Sequence, residues 1–418
     1  MSTPDSPRPP WDGRRIVLGV TGGIAAYKSI HLARRLTRLG AEVDVVLTRA
    51  AERFVTPLTF EGVTGRAVLT DLFSVEGAAR HILLGREADA VCVAPATADF
   101  LARAAQGRAD DLLTTTLLVA RAPVLLCPAM NDRMWAHPQV QANADHCRAA
   151  LGYELLGPDT GPLAVGEADG PGRLVEPDVV VDHLGRLLSP AGPLDGVPLL
   201  VTSGPTREAL DPVRYLGNRS SGRMGFALAE AAWRRGARVT VVSGPTNRPE
   251  PTGVEVVRLE SAREMAREVE ARIGQVRVAI FAAAVADYRP ALEPTSNKRK
   301  RDGNDWTVEF VQNPDIAATA IPGLADGGVA VGFALETEDL VDHAREKLRG
   351  KGFDLVVANP ANEEGAGFGA PTNRVTLVTE GEAEALPTLP KEEVAERILD
   401  RVAGLLEARA HADSAADS

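Results

Sequence analysis

The paired glycines of "GVTGGIAAYKS", residues 19–29, are the first residues in the chain whose type and spacing suggest chemistry. Glycines at a strand-to-helix turn let a phosphate approach backbone N–H groups at a helix N-terminus. The spacing is not GxGxxG, so a dinucleotide is not indicated, and a plain tight turn reads the same way. In "APATAD", Thr97 and Ala98 stand where a strand becomes a helix and can face a ligand. In "CPAMNDRMW", Asn131 follows a strand end. Its plain alternative is a helix cap, with Met134 and Trp135 packed in the core. His81 in "RHILLGR" is of a type that moves protons, although a single histidine is more often structural.

The second half carries a different set. "SGPTREALDPVRYLGNRSSGRMG" offers backbone N–H groups from Gly204, Ser220, Ser221 and Gly222, with Arg207 and Arg219 available, which is a phosphate-friendly loop. "AAAVADYRP" reads as a buried strand ending in Asp287. "NKRKR", residues 297–301, places four consecutive cations in an acidic protein. Alone it is a solvated loop. Beside a phosphate loop and Asp287 it reads as a triphosphate clamp. Lys347 and Lys351 fall at i and i+4, on one helical face. Such a pair is usually solvated, but three basic elements in one domain argue for a nucleotide.

One loop stands apart. "PLAVGEADGPGRL", residues 162–174, combines glycine, proline and acid with no aromatic residue, so it cannot pack a core. It is expected to be mobile, and long mobile loops of this kind are often lids. The runs on either side, "GYELLG" and "RLVEPDVVVDHL", read as strand-like.

The elements that must position these residues repeat. "RRIVLGVTGGIAAYKSIHLARRLTRLGAEVDVVLT" and "PLLVTSGPTREALDPVRYLGNRSSGRMGFALAEAAWRRGARVTVVSG" each give an apolar run, a Gly-containing turn, a helix, a Gly and a second apolar run. Leu32, Leu36 and Leu39 make one helical face, as do Met224, Leu228, Ala231 and Ala232. Gly40 and Gly236 stand where those helices should end. "DAVCVAPA", "PVLLCPAM", "GVAVGFALE" and "FDLVVANP" add near-continuous apolar strands, which implies parallel sheets covered on both faces. Two doubly wound α/β domains are expected, 14–188 and 196–409, joined by a linker over 189–195 in the Pro- and Gly-rich "SPAGPLDGVP", with disordered ends at 1–13 and 410–418. Ligands in such sheets bind beyond the carboxyl ends of the strands.

Composition limits the function classes. With 44% apolar and 25% charged residues among 418, the chain is of ordinary globular type. A net charge of −11 argues against nonspecific binding to nucleic acid or an anionic membrane. No apolar run reaches membrane-helix length and the N-terminus has no signal-peptide core, so no membrane or nucleic-acid partner and a cytoplasmic location are expected. The three cysteines lack metal-ligand spacing and fit reduced thiols.

The motifs carry a resemblance. "GGIAAYK", "PATAD" and "PAMNDRMW" occur in the order found in flavin-dependent cysteine decarboxylases, and residues 15–185 resemble phosphopantothenoylcysteine decarboxylases. The resemblance implies FMN lined by Gly22, Gly23, Thr48, Thr97 and Ala98, His81 as the active-site base, and Asn131 on the substrate carboxylate. It also implies trimers with the site at the subunit interface. Leu83 stands where that family usually has an acid. Residues 162–174 align with the family's flap. Val165 occupies the position of its usual proton-donating Cys, which leaves Glu167 or Asp169 as the acid.

"GPTREALDPVRYLGNRSSGRMG", "AAVADYRP", "NPDI", "VGFALET" and "KLRGKGFDLVVAN" resemble phosphopantothenate–cysteine ligases. Here the resemblance implies CTP rather than ATP, held by Asp287, Pro314, Asp315, Ile316, Phe333, Lys347 and Lys351, with Mg²⁺ on its phosphates. Asn218 would hold an acyl cytidylate. Lys298 would stabilise charge at the activated carboxyl, with Lys300 as the alternative. The order of the two halves resembles bacterial bifunctional coenzyme A biosynthesis proteins, with Rossmann-like domains and phosphopantothenate, cysteine and CTP as substrates. Ligase dimers and decarboxylase trimers together would give a dodecamer. One alternative is a ligase behind a noncatalytic FMN-binding assembly domain. A pair of NAD(P) oxidoreductase domains is the other, and the missing GxGxxG counts against it.

Overall fold

The computed structural model describes residues 11–73, 79–162, 169–189, 192–291, 298, 305–336, 339–360 and 369–416. The chain divides into two compact units, Met1–Pro190 and Ala191–Ser418. Among the described residues, no helix is long and apolar enough to cross a membrane.

In the first unit, strands β1 (Arg15–Val20), β2 (Glu42–Leu47), β3 (Ala90–Ala96), β4 (Val124–Pro128) and β5 (Glu154–Leu155) form a parallel sheet in the order β2-β1-β3-β4-β5. Helices α1 (Ala26–Arg38), α2 (Pro57–Thr64), α3 (Arg80–Glu87), α4 (Ala98–Ala105), α5 (Leu112–Val119), α6 (Asp132–Trp135), α7 (Pro138–Ala149) and α8 (Pro177–Leu188) make the connections. The short hairpin β6 (Asp159–Gly161) and β7 (Gly170–Arg173) stands before α8. Leu32, Phe60 and Leu184 cover one face of the sheet, and Phe100, Leu113 and Leu117 cover the other.

The second unit is built on the same plan. Strands β8 (Pro198–Ser203), β11 (Arg238–Ser243), β12 (Glu255–Arg258), β13 (Val278–Phe281), β16 (Val329–Glu336) and β17 (Leu355–Pro360) run parallel. Strands β19 (Thr376–Val378) and β20 (Ala383–Ala385) add an antiparallel edge, giving the order β12-β11-β8-β13-β16-β17-β19-β20. Smaller pairs are β9 (Arg207–Ala209) with β10 (Tyr215–Gly217), β14 (Tyr288–Pro290) with β15 (Phe310–Gln312), and β18 (Thr372–Asn373) with β21 (Leu389–Pro390). Helices α9 (Arg223–Arg234) and α13 (Lys391–Ala416) pack on one face of the sheet through Phe226, Leu228, Val394 and Ile398. Helices α10 (Ala262–Ile273), α11 (Ile316–Ala320) and α12 (Leu340–Lys351) pack on the other through Met265, Val269, Ile316 and Leu348.

The expected helix stops hold. Gly40 and Gly236 adopt φ of 100° and 95°, conformations open to glycine at little cost. Four expectations need correction. "EPDVVVDHL" is not strand-like but the start of α8: Pro177 occupies the first turn, and Val180, Val181 and Leu184 bury one helical face. The strand before Asp287 ends at Phe281, and residues 282–287 form a loop. Residues 410–416 are not disordered but continue α13, whose alanine-rich end favours helix. The tail reading of 1–13 fails at Trp11, which is buried against the first unit's core, while 1–10 lie outside the described residues.

Candidate active sites

Each sheet has one switch point, where successive crossovers leave in opposite directions. It lies between β1 and β3 in the first unit and between β8 and β13 in the second. A crevice opens there beyond the carboxyl ends of the strands.

At the β1/β3 switch, the Thr21 hydroxyl donates to the Pro95 carbonyl at 2.7 Å and accepts from the Thr97 amide at 3.2 Å. These bonds tie the glycine turn to the start of α4. Gly22 admits no side chain, since a Cβ would lie 2.4 Å from that of Ala50. Thr48 is buried and bonds the Val20 carbonyl at 3.3 Å. Gly22, Gly23, Thr48, Thr97 and Ala98 thus meet at the ends of β1, β2 and β3. Helix α1 has no side-chain cap and no acid in its first turn, which suits an anion at its N-terminus.

Asn131 caps α6, its side-chain oxygen accepting from the Arg133 amide at 2.9 Å. That cap was the plain alternative, and it also fixes Asn131 at the end of β4. Trp135 is partly buried, as expected, but Met134 is 49% exposed. The hairpin leans on this loop. Met130 N–H donates to Gly172 O at 2.9 Å, and a Cβ on Gly170 would lie 2.9 Å from that of Asp132. Lys28, 8% exposed, donates to Leu174 O at 3.0 Å and pairs with Glu176 at 2.9 Å. Val165 and Glu167 lie outside the described residues, and Asp169 is exposed next to β7.

His81 sits in the first turn of α3. This helix is the last before β3. His81 Nδ1 is buried and has no hydrogen-bond partner. Leu83 is 39% exposed.

At the β8/β13 switch lies a cavity of about 780 Å³. Asn218, Asp287, Pro314, Asp315, Ile316, Phe333, Lys347 and Lys351 all line it, although they span more than a hundred residues of sequence. The Asn218 amide donates to Ala284 O at 3.1 Å and Val285 O at 3.0 Å, which fixes it against the loop after β13. Lys347 Nζ donates to Phe333 O at 2.6 Å, and Lys351 pairs with Asp315 at 2.7 Å. Burial acts to raise the Asp315 carboxyl, but the Lys351 bond and the Ala318 amide outweigh it and hold it below the usual range.

Three of the expected basic groups are not in the wall. Arg207 stacks on Tyr215 at 4.5 Å, Arg219 is exposed, and Lys298 is exposed and is not among the lining residues. Lys300 lies outside the described residues. Instead the wall includes Arg223, Asn373 and Lys391. No motif pointed to Lys391. Its only signal was a lysine opening an amphipathic helix. Among the described residues, no group of three or more His, Cys, Asp or Glu could hold a metal ion.

Residues 6–189 match the family described as Flavoprotein, and 194–406 match the DNA/pantothenate metabolism flavoprotein C-terminal domain. The chain is 44% identical to the coenzyme A biosynthesis bifunctional protein CoaBC of Vibrio vulnificus strain YJ016, over 94% of this chain and 98% of that one. The chain belongs to the CoaBC family. Its similarity to the CoaBC protein of Mycobacterium bovis is also 44%, over 94% of this chain and 97% of the relative. For that of Escherichia coli K12 it is 43%, over 93% and 97%. A crystal structure of the C-terminal domain of a CoaBC protein is 38% identical, covering 52% of this chain and 99% of that one, with a TM-score of 0.44. The chain is thus a bifunctional enzyme of coenzyme A biosynthesis, with a flavoprotein unit ahead of a ligase unit.

Proposed function

We propose that the second unit joins phosphopantothenate to cysteine at the expense of CTP, and that the first decarboxylates the product to phosphopantetheine. The observation that carries this reading is the β8/β13 cavity, which collects Asn218, Asp287, Phe333, Lys347 and Lys351 from four separate segments. In the ligase step the phosphopantothenate carboxylate attacks the α-phosphorus of CTP. This forms an acyl cytidylate and releases pyrophosphate. The cysteine amine then attacks the acyl carbon, and CMP leaves. Such chemistry needs positioning and charge neutralisation rather than a protein nucleophile. Asn218 supplies positioning and Lys347 and Lys351 supply charge, while Mg²⁺ would arrive with the nucleotide and would supply further charge neutralisation.

In the first unit, the uncapped α1 terminus and the side-chain-free surface of Gly22 and Gly23 fit the phosphate of FMN. Bound FMN supplies oxidation of the cysteinyl thiol to a thioaldehyde, from which CO₂ departs easily, and the reducing power for the last step. Asn131 orients the carboxylate that is lost, and His81 takes a proton. The apolar side chains of Ile24, Phe54, Leu58 and Met134, 49–76% exposed, follow strand ends around this crevice. Such a collar suits a second copy of the chain. Assembly in multiples of three, with flavin bound, is the expected result of light scattering and absorbance on the purified protein. A colourless monomer that takes up no added FMN would overturn it.

The test of the whole reading is product analysis by mass. Full-length protein is supplied with phosphopantothenate, cysteine, Mg²⁺ and either CTP or ATP. Phosphopantetheine with CTP and far less with ATP is expected. Equal rates with the two nucleotides remove the CTP assignment. Accumulation of phosphopantothenoylcysteine alone favours a noncatalytic first unit. Lys298→Ala is expected to slow carboxyl activation by about 10²-fold, the usual effect of losing one contact to developing charge. A normal Lys298→Ala with an inactive Lys300→Ala would move that role two residues on.

A further inference from the structure

Lysine is seldom buried, yet Lys28 is 8% exposed. It lies on the inward face of α1 with Ala26, Ser29, Leu32, Ala33 and Leu36. An apolar side chain would pack there at less cost, because a buried ammonium must regain the hydrogen bonds it gives up from water. The Lys28 ammonium regains them from one short segment. It donates to Leu174 O at 3.0 Å and to Glu176 Oε1 at 2.9 Å. The Glu176 carboxylate is shared with Arg173. Burial acts to raise that carboxyl, but Lys28 and Arg173 outweigh it and hold it below the usual range. The next side chain of α1, Ser29, donates to Ala94 O on β3. Successive polar groups of one helix thus grip β3 and the segment that leaves β7.

Strand β7 ends one residue before Leu174 and reaches the Asn131 turn. Met130 N–H donates to Gly172 O at 2.9 Å, and a Cβ on Gly170 would lie 2.9 Å from that of Asp132. Met130 and Asp132 flank Asn131, so β7 meets this turn on both sides. The Asn131 side-chain oxygen is committed to the Arg133 amide at 2.9 Å, which leaves its Nδ2 to donate to a carboxylate. A displacement of β7 would carry that Nδ2 with it. Lys28 is therefore a polar tie between α1, which starts just after the glycine turn, and the strand that borders Asn131.

We propose that Lys28 is a positioning residue of the first unit, which holds residues 174–176 and through β7 sets the place of Asn131 for the substrate carboxylate. This assignment rests on the decarboxylase reading of the first unit. The role is indirect: Lys28 acts through the backbone of β7 and not on the substrate itself. It concerns the carboxylate end of the substrate and leaves flavin binding at the glycine turn intact.

The test is CO₂ release by full-length parent, Lys28→Met, Asn131→Ala and the double variant. Flavin absorbance and the inhibition constant of phosphopantetheine, which lacks the carboxylate, are measured alongside. Lys28→Met is expected to lower kcat/KM for phosphopantothenoylcysteine about 10- to 10²-fold, the scale set by small misplacements that start away from the chemistry. Flavin content and inhibition by phosphopantetheine are expected to stay within about twofold of the parent. The double variant is expected to lose no more than Asn131→Ala alone, since both residues act on one contact. Thermal unfolding is measured on each variant, and Glu176→Ala, on the more exposed side of the pair, decides by the same pattern if Lys28→Met does not fold. An unchanged kcat/KM in the deciding variant overturns the proposal. So do lost flavin, an equal weakening of phosphopantetheine, or additive losses in the double variant, because a general loosening of the fold does all three. A parent that releases no CO₂, or a normal Asn131→Ala, removes the decarboxylase reading of this site and the proposal with it. A damaged Asn131→Ala beside a normal Lys28→Met removes the proposal alone.

Discussion

Replacing His81 with asparagine is expected to lower CO₂ release by about 10²–10⁴-fold while flavin stays bound, the usual weight of a general base. The expectation starts from position. His81 lies in the first turn of α3, the last helix before β3, whose carboxyl end is tied to the glycine turn by the Thr21–Thr97 bond. It continues with chemistry. Nδ1 of His81 is buried with no hydrogen-bond partner, and Leu83 stands where related decarboxylases usually carry an acid. No carboxylate two residues on is there to hold the ring, so packing must orient it. Asparagine keeps a polar group of similar reach but cannot take up a proton. The measurement is CO₂ release from phosphopantothenoylcysteine alongside flavin absorbance. A variant that loses its colour would make His81 a structural residue.

The sequence was most readable where chemistry and backbone geometry coincide. Gly40 and Gly236 announced helix ends because a positive φ is costly for other residues. The apolar runs announced parallel strands because both faces of those strands are buried. Pro314, Phe333 and Lys351 were gathered through motif resemblance, and the sheet order brings them to one cavity. Reading failed where a local preference lost to tertiary context. The valines of α8 favour strand, but Pro177 and the helical spacing of its buried face prevail. Arg207 looked like a phosphate ligand and is instead spent on Tyr215. Lys391 could not have been found by spacing. It lies well over a hundred residues beyond Arg223, and only the packing of α13 against α9 brings the two together.

Decarboxylation is expected to proceed through CO₂ loss in this chain even though Val165 cannot donate a proton, with the last step dependent on Glu167 or Asp169. The chain's part in that step is one proton, delivered to the enethiol left by decarboxylation. Cys147 precedes the loop by more than a dozen residues, is fully buried, and has its thiol pushed up to about 11 by burial. It is no substitute donor. Val165 and Glu167 lie outside the described residues, whereas Asp169 is described and exposed. Asp169 directly precedes β7. That strand is anchored to the Asn131 loop by the Met130–Gly172 hydrogen bond and the close approach of Gly170 to Asp132. Lys28 secures the segment after it through Leu174 and Glu176. Asp169 is thus held within a short tether of Asn131. Closure of the loop over substrate would exclude water and disfavour the charged form, which raises a carboxyl pKa toward that of a useful acid. Product analysis of Glu167→Gln, Asp169→Asn, their double variant and Val165→Cys checks the expectation. Enethiol should accumulate in the double variant, and restoring a thiol at 165 should relieve it. Full phosphopantetheine formation in the double variant would show that neither acid is the donor. Enethiol accumulation in the parent, relieved by Val165→Cys, would show that valine has left the second half-reaction impaired.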